Sequence, residues 1–497
     1  MFKITPAVLL GLAGSANAFW RMECPGRLNV ARIDPIVNLN DVSAHAHSLH
    51  GSSALSSSAD GAALKGGKCT SCRVIQDKSA YWSPALYFED ADKNTDKFEL
   101  VEQVGGMLAY YLLYGKNIKA FPDNFQMIAG SNTRRSYTAG NPEEPDPDKS
   151  LWQSMGQTEQ SFLEQRALGF NCLDYDKKPE GTLFRHYLPD KAYLDANCKD
   201  GIRLEIMFPS CWNGKDVDSS DHKSHMAYPD LVMDGSCPEG FETRVPSLMF
   251  ETIWAVHKYA GRNGTFVLSN GDTEGFAYHA DFMMGWDRDF LQQAVDTCTN
   301  PSGLIDDCPL FKVVDKDTAE SCKLETPLPQ QLSTEIKNIF GPMANLPGGL
   351  SVFGDGGDPS KPETGGDSPS TGTATSKPTL GYTPGVTASN SASPLPGQVF
   401  KQVDSESSGS TPTPAPTTAP SAPSAPLAAA AAVTEASTTP EPSYFSIQFI
   451  THGNTVSKIL WEEELVTVTE TLEPTATKTV DAAKRRRSHL HGHARRS

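Results

Sequence analysis

Residues 106–115 read GMLAYYLLYG, a run of aromatic and branched side chains opened and closed by glycine. Such a run predicts a β-strand, because these side chains pack well on a pleated surface and glycine punctuates it. Runs of the same kind recur at YWSPALYF (81–88), IRLEIMF (202–208), LMFETIWAV (248–256) and TFVLSN (265–270), with glycine, proline or aspartate between them. Helical signals are few: TEQSFLEQRAL (158–168) and DRDFLQQAVDTC (287–298). The second offers Asp287 as an N-cap and sets Phe290, Leu291, Ala294 and Val295 on one face. The expectation is a mainly β, β-sandwich-like domain with long loops and a few helices, two smaller domains being the alternative.

Outward from these strands the chain changes character. It begins with Lys3, a short apolar run over 7–12 and GSANA ending at Ala18. That is the pattern of a secretory signal peptide over 1–18, too short to span a bilayer, and cleavage there leaves Phe19 first. The globular domain is expected over 19–345. From 346 to 443 the Ser/Thr/Pro/Ala/Gly-rich sequence cannot bury enough apolar surface to offset its ordering entropy, and is read as a disordered, O-glycosylated stalk. A short apolar island and the basic tail KRRRSHLHGHARRS occupy 444–497. A polar, basic end argues against a glycolipid anchor, so the expected address is extracellular or the cell wall, with no membrane span.

All ten cysteines (Cys24, Cys69, Cys72, Cys172, Cys198, Cys211, Cys237, Cys298, Cys308 and Cys322) fall between the leader and residue 323. An even number in a secreted chain reads as up to five disulfides of undetermined connectivity. Cys69-Thr-Ser-Cys72 has thioredoxin-like spacing without a βαβ context, so a structural role is preferred. The net charge is −17 although the last fourteen residues carry six cations and no acid. A body this acidic repels phosphate backbones, which excludes nucleic acid as its partner. Asn263-Gly-Thr is an N-glycosylation acceptor.

Chemistry-bearing residues cluster in three polar stretches: His45-Ala-His47, DHKSH with His222 and His225, and YHADF with His279 and Asp281. Residues two apart in extended chain face the same side, so each HxH or HxD pair can enter one site. These five histidines suit a divalent metal ion, since imidazole binds zinc, copper, nickel and iron. They also suit acid–base chemistry, with His47, His225 and His279 as proton-transfer groups and Asp221 and Asp281 as orienting carboxylates. His50 breaks the alternation and is left out; His186 and His257 sit singly beside apolar residues and read as structural. Phe19 at the mature terminus disfavours a copper site built on an N-terminal histidine. HExxH and GxSxG are absent. Glu205, Asp221, Glu251 and Asp281 are available carboxylates for glycoside hydrolysis. Trp82 and Trp286, near the histidines in sequence, are candidate sugar platforms.

The segments RIDPIVNLNDVSAHAH, DKSAYWSPALYF, FPDNFQMIAG, IRLEIMFPSCWNGKDVDSSDHKSHMAYP, CPEGFETRVPSLMFETIWAV and LSNGDTEGFAYHADFMMGWDRDFLQQAVDTC resemble a secreted, chiefly fungal family. It is catalogued only as a domain of unknown function, number nineteen-ninety-six. The resemblance spans roughly 32–300 and includes the HxH, DHxSH and HxDF-x-x-x-W stretches. It implies secretion and a fungal source. Because some relatives carry WSC-type carbohydrate-binding modules, it also points to cell-wall or plant polysaccharide as partner. Three functional expectations follow: a polysaccharide hydrolase or lyase using the His/Asp site, an extracellular metal-binding protein, or a non-catalytic wall protein.

Overall fold

The computed structural model describes residues 18–354, except 329–331, 333–334 and 336–337, together with the backbone of 446–452 and 455–461. The leader through residue 17, the stalk from 355 and the basic tail lie outside the described residues.

Two five-stranded antiparallel sheets form the frame. The first runs Ala18–Cys24, Gln103–Leu113, Ser247–Trp254, Ile202–Met207, Leu168–Cys172 across its width. The second runs Asn29–Ala31, His47–Gly51, Ala80–Pro84, His279–Met283, Gln126–Gly130. All but the last two residues of GMLAYYLLYG lie in the eleven-residue strand of the first sheet, between two partners. Its alternate side chains therefore point to opposite faces, Tyr111 into one apolar cluster and Tyr110 into another.

Between the sheets Tyr81 meets Tyr111 through their hydroxyls at 2.7 Å, and Tyr81 packs edge-on against Phe250. Phe282 and Phe208 complete this layer. The mainly β, sandwich-like expectation holds. The single strand read over 81–88 is instead two, Ala80–Pro84 in the second sheet and Leu86–Asp90 in a three-stranded sheet beside it. Pro84 lacks the N–H that a continuing ladder needs, and the chain changes sheets there.

The helix Arg288–Thr297 starts where its cap signal lies, the Asp287 carboxylate accepting the Phe290 N–H at 2.8 Å. A cap of this kind contributes about 1 kcal/mol. Leu291, Ala294 and Val295 are its buried face. The other helical signal gives Gln160–Arg166.

All ten cysteines are paired: Cys24–Cys72, Cys69–Cys322, Cys172–Cys198, Cys211–Cys237 and Cys298–Cys308. The two cysteines of the CxxC thus belong to different bridges, and the motif is not a dithiol pair. Among the described residues no helix is long and apolar enough to cross a membrane. Residues 346–354, assigned to the stalk by composition, pack on the domain instead: Leu346 is buried and the Phe353 N–H donates to the Gly271 carbonyl. The apolar island, as a separate unit, contains an antiparallel hairpin of Ser446–His452 with Thr455–Trp461.

Candidate metal centre

The outer face of the second sheet carries Leu49, Ala80, Trp82 and Met283 in an apolar cluster with Ile33, Ile36 and Leu64. The segment around 32–46 and the short helix Gly61–Lys65 thus cover that face. Arg32 holds the covering segment closed: its side chain donates to the Ser43 carbonyl at 2.7 Å while its own carbonyl accepts the Ser43 N–H. Strand alternation puts His47 on the covered face beside Leu49, and His279 and Asp281 beside Met283. Trp82 stands between Leu49 and Asp281 in the cross-strand register.

His45, on the irregular approach to the strand, turns its ring onto the same spot. The rings of His45 and His47 lie 4.3 Å apart, those of His45 and His279 5.0 Å, and those of His47 and His279 5.9 Å. One ligand atom from each falls within 4.8 Å of the others. All three side chains are buried, His47 completely.

The hydrogen-bond accounting of this cluster is incomplete. His279 Nδ1 lies 2.9 Å from the Ala277 carbonyl, which can only accept, so Nδ1 carries the proton and Nε2 presents a lone pair. His45 Nε2 sits 3.1 Å from that lone pair. A proton on His45 Nε2 satisfies the two nitrogens. A cation between them would satisfy both and also draw on His47, whose ring nitrogens make no hydrogen bond of good geometry, although the Ile33 backbone interacts with the ring. Two imidazoles bound at about 2.0–2.1 Å to one ion, at right-angle to tetrahedral separation, stand roughly 2.9–3.4 Å apart. The His45–His279 spacing falls in that interval, and all three ligand nitrogens lie within 4.8 Å of one another.

Burial holds all three rings neutral, the form that binds metal. It depresses His45 and His47 well below the ordinary imidazole range, with their neighbouring histidines adding to the effect, and brings His279 down to about 4. Asp281 is 1% exposed and neither carboxylate oxygen has a hydrogen-bond partner. Burial, reinforced by the nearby charge of Asp34, raises its pKa well above the usual carboxylate value. Asp34 is also buried and raised for the same first reason, although the Ile36 and Val37 N–H groups donate to it. Three neutral nitrogen donors thus lie on the covered face that also carries the Asp281 carboxyl, with Asp34 near the latter.

Not every residue expected here arrives. His222 and His225 are outside the group of three. His225 has both ring nitrogens engaged, by Ser219 Oγ and the Gln126 carbonyl, each at 2.9 Å. His222 Nδ1 pairs with Asp218 at 2.8 Å. The DHKSH loop satisfies its own rings and pins itself to the edge strand, so a centre uniting all three histidine stretches is corrected to one built from two of them. Asp221 is occupied in the same loop by Ser219 and backbone N–H groups.

Trp82 and Trp286, proposed as sugar platforms, are 1% and 0% exposed. Trp286 is an inter-sheet core residue whose indole N–H donates to Tyr111. Neither presents a ring face to a glycan. Glu205 and Glu251 oppose each other across two strands of the first sheet, sealed beside Arg203. His50 faces the other side of its strand, against Gln103. His186 is held by Leu168 O and Asp146, a structural arrangement. Asn263 is exposed, its amide donating to Asp92. Asp34 carries no signal in sequence; only the covering segment's path brings it to Asp281.

A match to the family described as "Domain of unknown function (DUF1996)" spans residues 34–286, just over half of the chain. The chain belongs to the DUF1996 family. The matched interval contains His45, His47, His279, Asp34 and Asp281, and ends on Trp286. No curated protein and no solved structure matches the chain.

Proposed function

We propose that this protein is a secreted metal-binding protein that holds one divalent transition-metal ion on His45, His47 and His279. The observation that carries the reading is the convergence of three buried, neutral imidazoles whose nitrogens lack enough protein partners. A donor set of imidazole without thiolate favours ions of the zinc and copper kind. The Ala277 carbonyl acts as the outer partner that orients the His279 ring, as carbonyls do for metal-bound histidine. A cation on the histidines would favour the ionised form of Asp281, two residues from His279 on the same strand face, against the burial that otherwise keeps it protonated. The ion would tie the covering segment, through His45, to the sheet, through His47 and His279. Such a buried position favours retention of the metal over exchange with solvent. The leader sequence and the pairing of every cysteine support an extracellular setting.

The test is metal content after dialysis of the purified protein against Zn(II) or Cu(II). One ion per chain is expected, lost in His45→Ala/His47→Ala and retained in His225→Ala. A parent protein that retains no ion would refute the reading.

A further inference from the structure

His45 and His279 hang from parts of the chain far apart in sequence, and one further segment touches both parts. His45 ends the covering segment that begins near Arg32, and His279 follows the turn at 270–277. Residues 346–354 cross from one to the other. At the first end Leu346 is buried in the inter-sheet cluster. Gly348 lies against the residue before His45, so closely that a Cβ there would meet the Ala44 carbonyl oxygen at 2.1 Å and Arg32 Cδ at 3.2 Å. Its φ of 86° also requires glycine. Upstream, Glu335 pairs at 2.9 Å with Arg32, the same arginine that holds the covering segment closed through the Ser43 carbonyl.

At the other end Phe353 docks on the turn that leads to His279. Its N–H donates to the Gly271 carbonyl at 2.8 Å, and its carbonyl accepts the Thr273 N–H at 3.2 Å and the Thr273 hydroxyl at 3.0 Å. The Arg135 guanidinium stands 3.9 Å from the centre of the Phe353 ring. Asp272, between those two partners, accepts the Ala277 N–H at 2.6 Å, and the Ala277 carbonyl is the group that orients His279. Between its two anchors the segment is shallow: Gly348 and Gly349 are exposed and residues 350–353 only half-buried. A segment held this way opens at lower cost than the strands beneath it. The histidines are sealed, so an ion reaches them only when something above them moves.

We propose that residues 346–354 form a strap that gates metal exchange at the histidine centre. Docked, it closes the parts carrying His45 and His279 on the ion; lifted, it frees both. The gate rests on the metal-binding reading above.

The experiment follows release of Zn(II) from the loaded full-length protein to an excess of the chelating dye 4-(2-pyridylazo)resorcinol, in parent, Phe353→Ala and Gly348→Ala. The first variant removes the ring that Arg135 covers; the second drives a methyl group into the Ala44 carbonyl. Both are expected to keep one ion per chain and to release it about tenfold faster, the worth of a cation–π contact with its ring burial. Met249→Ala, in the cluster on the opposite face of the first sheet, controls for general loss of stability and should release at the parent's rate. Hydrogen exchange of the metal-free protein gives a reading independent of zinc. Phe353→Ala should speed exchange of amides at 43–47 and 277–279 together with those of 346–354. One retained ion with parental release rates in both strap variants overturns the gate and leaves the metal site standing. Faster release that Met249→Ala reproduces, or faster exchange confined to 346–354, also overturns the gate alone. A parent that retains no ion overturns the metal reading and the gate with it.

Discussion

Asp281→Asn is expected to have opposite consequences with and without metal. In the metal-free protein the Asp281 carboxyl is buried with both oxygens unpartnered. An unsatisfied buried polar group costs about 1–3 kcal/mol, and more when charged. Asparagine has nearly the same shape and no charge to desolvate or to oppose Asp34. The substitution should therefore leave metal-free stability unchanged or raise it by up to about 1 kcal/mol. With an ion on the histidines the balance inverts, because a negative group beside the metal is lost. A bound cation favours the ionised carboxylate, so its loss is expected to weaken metal binding about tenfold, or about 1.4 kcal/mol of metal-linked stability at saturation. The assay is urea unfolding of parent and variant, once in chelator and once in excess Zn(II), with a competition measurement of the Zn(II) Kd. If the variant is destabilised by more than about 2 kcal/mol in chelator while its Kd is unchanged, Asp281 is a structural residue and the electrostatic argument is wrong.

Other outcomes follow from the same structure. Burial takes His50 down to about 3, with Arg27 contributing. A histidine kept neutral in the fold takes up its proton on unfolding, so its effect is absent above pH 6.5. Stability then falls between 6.5 and about 3 by about 1.4 kcal/mol per unit. His50→Gln should flatten the acid limb of a stability–pH curve by that slope, and identical slopes would refute the shift. Trp286→Ala should cost about 3–5 kcal/mol in chemical unfolding, as a large core truncation, while leaving the metal stoichiometry at one. A sugar-binding role would instead show as lost glycan affinity in a folded variant. The Cys69–Cys322 bridge spans 253 residues of sequence. Its removal by Cys69→Ser/Cys322→Ser should lower unfolding free energy by about 2–5 kcal/mol, an unchanged value contradicting its assigned role.

The strands and the helix at 288 were legible because their signals are local. GMLAYYLLYG and IRLEIMF carry strand composition between breakers, and Asp287 caps through its own side chain. The split at Pro84 was also written locally, in a residue that cannot continue a ladder, yet a run of aromatics around it masks the break. In the site, the two-residue spacing of His279 and Asp281 correctly set them on one face. The same reasoning overreached at DHKSH, because spacing does not tell whether a ring finds Ser219, Asp218 or a carbonyl nearby. Tryptophans beside polar motifs likewise do not reveal which face of a strand they occupy. Asp34 and the strap over 346–354 were beyond reach: each matters through where the path of a long loop brings it.

X-ray absorption spectroscopy of the zinc-loaded protein tests the central claim most directly, by reading the ion's ligands. The account predicts three imidazole nitrogens at about 2.0–2.1 Å, falling to two in His279→Ala. A first shell dominated by oxygen or sulfur, or one unchanged in that variant, would contradict it.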